Sequence, residues 1–341
     1  MQVALHEGGV ALRVVLGQTH VLVEHEAGDL REGDPPGPAA PGELVVQGQR
    51  TRSGGGSQHR VGLVREQALN GVGGPVGDLG RGVQDDELHG SPSGRSAGPA
   101  GAGPALPREE LFITTKVWID NYGYEECKKS IEESLEKLKT EYIDLVLLHQ
   151  PFADYYGAYR ALEDLYEEGK IRAIGVSNFQ VDRLADICLF ERKVIPAVNQ
   201  IEVNPLYQRT YDQEIMERYS VQIEAWAPFG EGKNNMFNNE TLIKIGKKYN
   251  KSAAQVILRW LVQRKVVFAC KSTHLERIKQ NFDIYDFELS NEDMEKIKEL
   301  NSNDSLFFDH NNPDMVEWFD EMVKSRRNNH VASKENKKWE D

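Results

Sequence analysis

From residue 108 onward, strand-like and helix-like segments alternate, and this constrains the fold more than any other feature. The strand-like runs are LFITTKVW (111–118), IDLVLLH (143–149), IRAIGVSN (171–178), PAVNQIE (196–202), VQIEAWAP (221–228) and VVFACKS (266–272). Their apolar residues run on without alternation, the pattern of parallel strands covered on both faces. One intervening helix carries Cys127, Ile131, Leu135 and Leu138 on a single face. The next carries Tyr159, Leu162, Leu165 and Tyr166 and stops at Gly169, where a left-handed terminus is easy. Others lie around VDRLADICLF and DQEIMERY, one begins at Ser252, and a last one carries Met294, Ile297 and Leu300 behind a capping box of Ser290 and Asp293. Repeated right-handed βαβ units close most naturally as a TIM-type (β/α)8 barrel, with a doubly wound open sheet as the alternative. The expectation is an α/β barrel that is incomplete, with about six parallel strands.

Barrels of this kind gather their chemistry at the C-terminal strand ends. Those ends are Lys116, His149, Ser177 with Asn178, Gln200, Trp226, and Lys271 with Ser272. Each has a plainer reading alone: a satisfied core histidine, a snorkelling lysine, an ordinary turn at Ser-Asn, a core tryptophan. Six apolar strands that all finish on polar or aromatic side chains point to a site.

Composition breaks near residue 108. Residues 1–107 contain no Phe, Tyr, Trp, Ile, Lys or Cys, yet hold 23 of the 30 glycines and 9 of the 14 prolines. EGDPPGPAAPGE and GSPSGRSAGPAGAGPALP offer too little apolar surface to offset chain entropy, so disorder is expected there. VALRVVLG and HVLVEHE read as a hairpin that could patch one sheet edge, although an isolated hairpin is marginal. GVGGPVGDLG misses the spacing of a dinucleotide loop. The composition also resembles GC-rich DNA read in an unintended frame. Three regions follow: a non-matching segment 1–107, a barrel portion 108–300, and a C-terminal loop with a polar tail over 301–341.

The net charge of −13, without a basic block, argues against a nucleic-acid partner. Cys127, Cys188 and Cys270 form no CxxC pair and suit a reducing compartment, and no metal site is expected. Cys270 reads as a small packed hydrophobe. With neither an apolar run of membrane-spanning length nor a positively charged leader, the expectation is a cytoplasmic monomer with no membrane association.

REELFITTKVW, YIDLVLLHQP, GKIRAIGVSNF, PAVNQIEVNP, EAWAPFGEG and KSTHLERIKQNFDIYDFELS occur in the order and spacing of the aldo-keto reductase family. The chain resembles that family from residue 108 to about 300. The resemblance implies a TIM-barrel, NADP(H)-dependent reductase acting on a small-molecule aldehyde or ketone. By the same resemblance, His149 would orient the substrate carbonyl, and Lys116 would lower the pKa of a proton-donating tyrosine. Ser177, Asn178 and Gln200 would hold the nicotinamide carboxamide, and Trp226 stands where a tyrosine usually stacks on the nicotinamide ring. Lys271, Ser272 and Arg277 would clamp the adenosine 2′-phosphate, with Gln280 and Asn281 at the adenine. As plain residues, the charges of ERIKQN would be a solvated helix face. Trp118, Gln150, Phe229 and the stretch NSNDSLFFDHNNPDMVEWF would shape the substrate pocket.

The family's catalytic Asp and Tyr belong to strands before residue 108, and no Tyr precedes Tyr122. The first two barrel strands look replaced, which implies impaired carbonyl reduction. The rival readings are an inactive NADPH-binding regulatory protein and an unstable chain with no activity.

Overall fold

The computed structural model describes residues 11–14, 16–17, 20–26, 43–46, 107–190, 192–272 and 274–337, with side chains between 107 and 326. GVGGPVGDLG and most of the Gly/Pro-rich stretches lie outside the described residues. Ten strands are described: β1 (Ala11–Val14), β2 (Leu16–Gly17), β3 (His20–Glu26), β4 (Glu43–Val46), β5 (Leu111–Val117), β6 (Leu145–Leu148), β7 (Ile174–Ser177), β8 (Val198–Glu202), β9 (Gln222–Trp226) and β10 (Val267–Phe268). Strands β5 to β10 are the six parallel strands of the sequence pattern, paired in sequential order as a curled half-barrel. β3 joins β5 in parallel, from Val21↔Leu111 to Glu26↔Lys116, and β2 folds back antiparallel on β3. Of the two N-terminal pieces read as a hairpin, only Leu16–Gly17 pairs back on β3, whereas β1 pairs in parallel with β4; β3 itself occupies the edge of β5.

The strands are shorter than their apolar runs. β6 ends at Leu148, which places His149 in the loop that follows. β10 contains two residues and, among the described residues, pairs with β9, with one further bond from Ala269 N to Ala225 O. Between the strands run α1 (Tyr124–Leu138), α2 (Tyr155–Glu167), α3 (Val181–Leu189), α4 (Thr210–Arg218), α5 (Glu240–Tyr249) and α6 (Ala253–Gln263), and α7 (Leu275–Phe282) and α8 (Asn291–Lys298) follow β10. Gly169 takes the expected positive φ of 76° after α2. Ser252 opens α6 with a full capping box to Gln255. The box expected at Ser290 is only half made. Ser290 Oγ accepts from Asp293 N, but the Ser290 N–H goes to Tyr249 Oη, and the Asp293 carboxylate receives Lys248, Tyr249 and the Ser290 hydroxyl.

Two elements depart from the expectation. α5 sits in a stretch that gave no helical reading, and α9 (Pro313–Lys337) replaces the start of the expected polar tail. Proline at the first helical position suits an α-helix start. Phe319 and Val323, four residues apart, are the buried anchors of α9. Among the described residues, no helix is long and apolar enough to cross a membrane.

The sheet separates two cores. Phe112, Leu145, Leu147, Ala173, Val198 and Ala269 fill the concave side. Ile113, Val146, Leu148 and Val176 face the helices, against residues such as Leu162, Leu165 and Ile187. Gly175 lies in register with Leu147. A Cβ there would come within 2.4 Å of Leu147 Cδ2 and 2.9 Å of Val198 O, so only glycine lets these strands keep their side chains in place.

At the opposite rim, buried Asp144 ties the sheet to the segment that enters it. Its carboxylate accepts from Ile113 N at 2.9 Å, Arg108 Nη2 at 2.7 Å and Arg172 Nη1 at 3.4 Å. The two guanidiniums flank the Tyr142 ring at 3.9 and 3.6 Å. Removing the carboxylate leaves the Ile113 N–H without its side-chain acceptor and two arginines without their counter-charge. Asp144→Ala should cost about 2–4 kcal/mol, measured by urea denaturation, with the two arginines' solvent exposure holding the value below that of a fully buried pair.

Candidate active site

Because β5 to β10 are parallel, their C-terminal ends share one rim, and the expected site residues arrive there from separate strands. Lys116 lies in register with Leu147, on the concave face. His149 follows β6, and its N–H reaches back to Val117 O at 3.0 Å. The half-buried imidazole meets the Trp118 indole edge-on, with centroids 4.7 Å apart. Arg326 of α9 lies 5.3 Å from the Trp118 ring centre. Burial, with the charges of Lys116, His310 and Arg326, holds the His149 pKa well below the ordinary histidine range. At neutral pH the ring is therefore uncharged and keeps one N–H to donate.

Next to it, buried polar groups form a connected chain. Asn178, at φ 63°, donates through Nδ2 to His149 O at 3.1 Å and to Ser177 Oγ at 3.2 Å. Ser177 Oγ donates to Gln200 O at 2.9 Å, and Gln200 Nε2 donates to Glu224 Oε1 at 2.8 Å. Trp226 closes the chain with Nε1–H donating to Asn178 Oδ1 at 2.8 Å. The Ser177, Asn178, Gln200 and Trp226 expected from sequence thus form one hydrogen-bonded group at the ends of three neighbouring strands.

Gln150, expected as a substrate contact, is held by partners within the protein. It is fully buried, and the Tyr122 hydroxyl both donates to its carbonyl and accepts from its N–H, at 2.8 and 3.0 Å. Its Oε1 is held by His310 Nε2 at 2.9 Å. Burial drives the Tyr122 pKa far above the usual phenol range, so this phenol is a structural clip. Phe229 stacks with Phe237, with ring centroids 5.4 Å apart.

The segment after β10 supplies the remaining residues. Lys271, Arg277 and Gln280 are exposed, and Ser272 and Asn281 are partly so. α7 follows His274 as its N-cap residue, with no side-chain cap bond, and Arg277 lies in its first turn. Helix N-terminal N–H groups with an Arg fork and a Lys form a setting suited to a phosphate dianion. Asn281 Nδ2 lies 3.5 Å from the buried Cys270 sulfur, so Cys270 is packed in the wall, as expected.

Sequence reasoning missed Glu202, which anchors the loop before α9, part of the stretch expected to shape the pocket. Glu202 ends β8 and receives Ser305 Oγ at 2.6 Å, Leu306 N at 3.0 Å and Asn204 Nδ2 at 3.0 Å. This seats Phe307 against Trp226, with ring centroids 4.9 Å apart, and Lys233 Nζ lies 3.8 Å over the Phe307 ring. A small cavity here is lined by Asn178, Glu202, Arg209, Trp226, Asp309 and His310, among others. The only sequence signal for Glu202 was a charged residue closing an apolar strand in QIEVNP; His310 lies in the stretch expected at the pocket, but its contact with Gln150 had no local sign.

A parallel α/β half-barrel with a hydrogen-bonded polar group at its C-terminal rim defines a barrel enzyme whose chemistry sits at the strand ends. The sequence pattern of the Aldo/keto reductase family matches residues 93–302, and this chain belongs to that family of oxidoreductases. It is 48% identical over 202 residues to glyoxal reductase of Bacillus subtilis, covering 59% of this chain and 72% of that protein. It is 44% identical over 210 residues to 9,11-endoperoxide prostaglandin H2 reductase of Trypanosoma cruzi, covering 61% and 74%. Among solved structures, the aldo-keto reductase MGS-M4 from a Medee basin deep-sea metagenome superposes with a TM-score of 0.59 at 40% identity, covering 61% of this chain and 78% of that one. An aldo-keto reductase of Bombyx mori in complex with NADP gives 0.57 at 32% identity, covering 60% and 72%.

His310 makes a testable contribution to stability. Burial and nearby Arg209 lower its pKa to about 4. The unfolded chain takes up this proton near pH 6.5 and the folded chain only near 4, so the contribution is full above 6.5 and is lost as pH falls through that window. Burial raises the Glu202 pKa, which acts in the opposite sense, so comparing variants isolates the histidine. His310→Gln keeps a donor for Gln150. Urea denaturation at pH 7 and pH 4.5 should show the variant losing about 2–3 kcal/mol less than the parent on acidification.

Proposed function

We propose that this chain is built for NADPH-dependent reduction of an aldehyde or ketone to an alcohol. The observation that carries this reading is one rim holding a neutral imidazole at His149, a lysine at 116, and the connected amides of Asn178 and Gln200. When bound, NADPH supplies the hydride. On this reading Ser177, Asn178 and Gln200 hold the carboxamide, and Trp226 lies along the ring. The uncharged His149 donates its N–H to the substrate oxygen, and the Lys116 ammonium favours the negative charge that grows there. Lys271, Ser272, Arg277 and the open start of α7 take the 2′-phosphate, with Gln280 and Asn281 toward the adenine. Two observations support NADP(H): the residues suit a dianion, and several structural relatives, the Bombyx mori reductase among them, are complexes with NADP or NADPH.

The proton supply limits this chemistry. No Tyr precedes Tyr122 in the 341 residues, and the Tyr122 hydroxyl is occupied at both its donor and acceptor positions by Gln150. Without a positioned acid the rate should fall by roughly 10²–10⁴-fold, so cofactor binding should outlast efficient turnover. That observation also favours the second reading, a cofactor-binding protein with little catalysis.

Titration of nicotinamide fluorescence tests the assignment. The chain should bind NADPH in preference to NADH, and Arg277→Ala should weaken NADPH by about 10–100-fold while leaving NADH unchanged, as expected for one charge-assisted contact. Equal weakening of both cofactors would remove the phosphate clamp from the reading. Glyoxal-dependent NADPH oxidation at rates normal for such reductases would refute the impairment.

A further inference from the structure

We infer that Trp226 is a positioning residue whose indole N–H locks Asn178 and, through Asn178, sets the backbone carbonyl of His149. This rests on the NADPH reading above and extends it, because it gives the tryptophan a task that ring stacking does not include. The basis is a hydrogen-bond count. An amide side chain has two donor hydrogens and one acceptor oxygen, and it can sit in two orientations of similar shape. At Asn178 both kinds of neighbour are fixed. The His149 carbonyl can only accept, and the Trp226 N–H can only donate. Those two partners together allow one orientation, with Nδ2 toward His149 and Oδ1 toward the indole.

The rest of the surroundings make this lock consequential. Asn178 is buried and left-handed, so its side chain has little room to relax and its backbone depends on a residue that tolerates positive φ. Its N–H is already committed to Gln200 O at 2.9 Å. The indole is restrained in turn by Phe307, which Glu202 seats through Ser305 and Leu306. Cofactor-side and substrate-side groups are therefore joined by two bonds, indole to amide and amide to the His149 peptide. A phenyl ring at 226 would keep an aromatic face and lose the donor, leaving the buried Oδ1 of Asn178 unpaired and the amide held only from its Nδ2 side.

The test uses the full chain with Trp226→Phe, Asn178→Gly and the double variant. Glycine at 178 tolerates the left-handed backbone, so this variant should fold even if the tryptophan variant does not. The first readout needs no cofactor: the ring resonances of His149 by NMR. Trp226→Phe should shift them, Asn178→Gly should shift them comparably, and the double variant should match Asn178→Gly alone, because coupled residues are non-additive. The second readout is NADPH affinity, expected to fall about tenfold in Trp226→Phe, or 1.4 kcal/mol, with no further loss on adding it to Asn178→Gly. A role limited to stacking or packing predicts unmoved His149 signals or additive effects, and either result overturns the inference. If the parent chain binds no NADPH, the functional reading falls, and the His149 resonances still decide the link.

Discussion

Parallel pairing from β5 to β10 is the constraint on which the other features depend. Backbone direction alone puts Lys116, Ser177, Gln200 and Trp226 on one rim, although the strands carrying them span more than a hundred residues of sequence. Register then sorts the faces. Lys116, Leu147 and Gly175 fall in one concave row, where the missing side chain at Gly175 lets its neighbours approach. At the other rim, Asp144 fixes the chain entering β5 against the chain entering β6. The two ends of the sheet thus divide their work: charge pairing holds one, and hydrogen-bonded polar side chains occupy the other.

How far the sequence could be read followed from how local each signal was. Ser252 and Gln255 made their capping box because both halves lie within one helical turn. Ser290 and Asp293 made half of theirs because Lys248 and Tyr249, brought in by folding, satisfied the carboxylate first. α9 escaped notice because, among its described side chains, only Phe319 and Val323 are buried, and the sequence beyond reads as a polar tail. β10 was overestimated because an apolar run does not reveal how many partners a strand will have.

The candidate site shows the same division. Lys116, Ser177, Asn178, Gln200 and Trp226 could be picked out because each closes an apolar run, and the structure links the last four by hydrogen bonds. Gln150 was picked out by its position beside His149, which gave no sign that its amide faces His310 from 160 residues away. Glu202 and its hold on Ser305 could not be found locally, because the contact joins a strand end to a loop a hundred residues later. Long-range polar contacts leave almost no mark on composition or periodicity.

Asn178 also narrows what mutation can do to this protein. A single base change in an asparagine codon reaches aspartate, serine, threonine, histidine, lysine, tyrosine or isoleucine, and glycine lies two changes away. Aspartate accepts the left-handed backbone but has no hydrogen to offer the peptide of the neighbouring histidine. Serine and threonine keep a hydrogen but have neither the reach of an amide nor its ease at positive φ. Genetic drift from this codon to aspartate, serine or threonine therefore gives up either the hydrogen or the fit that the amide supplies.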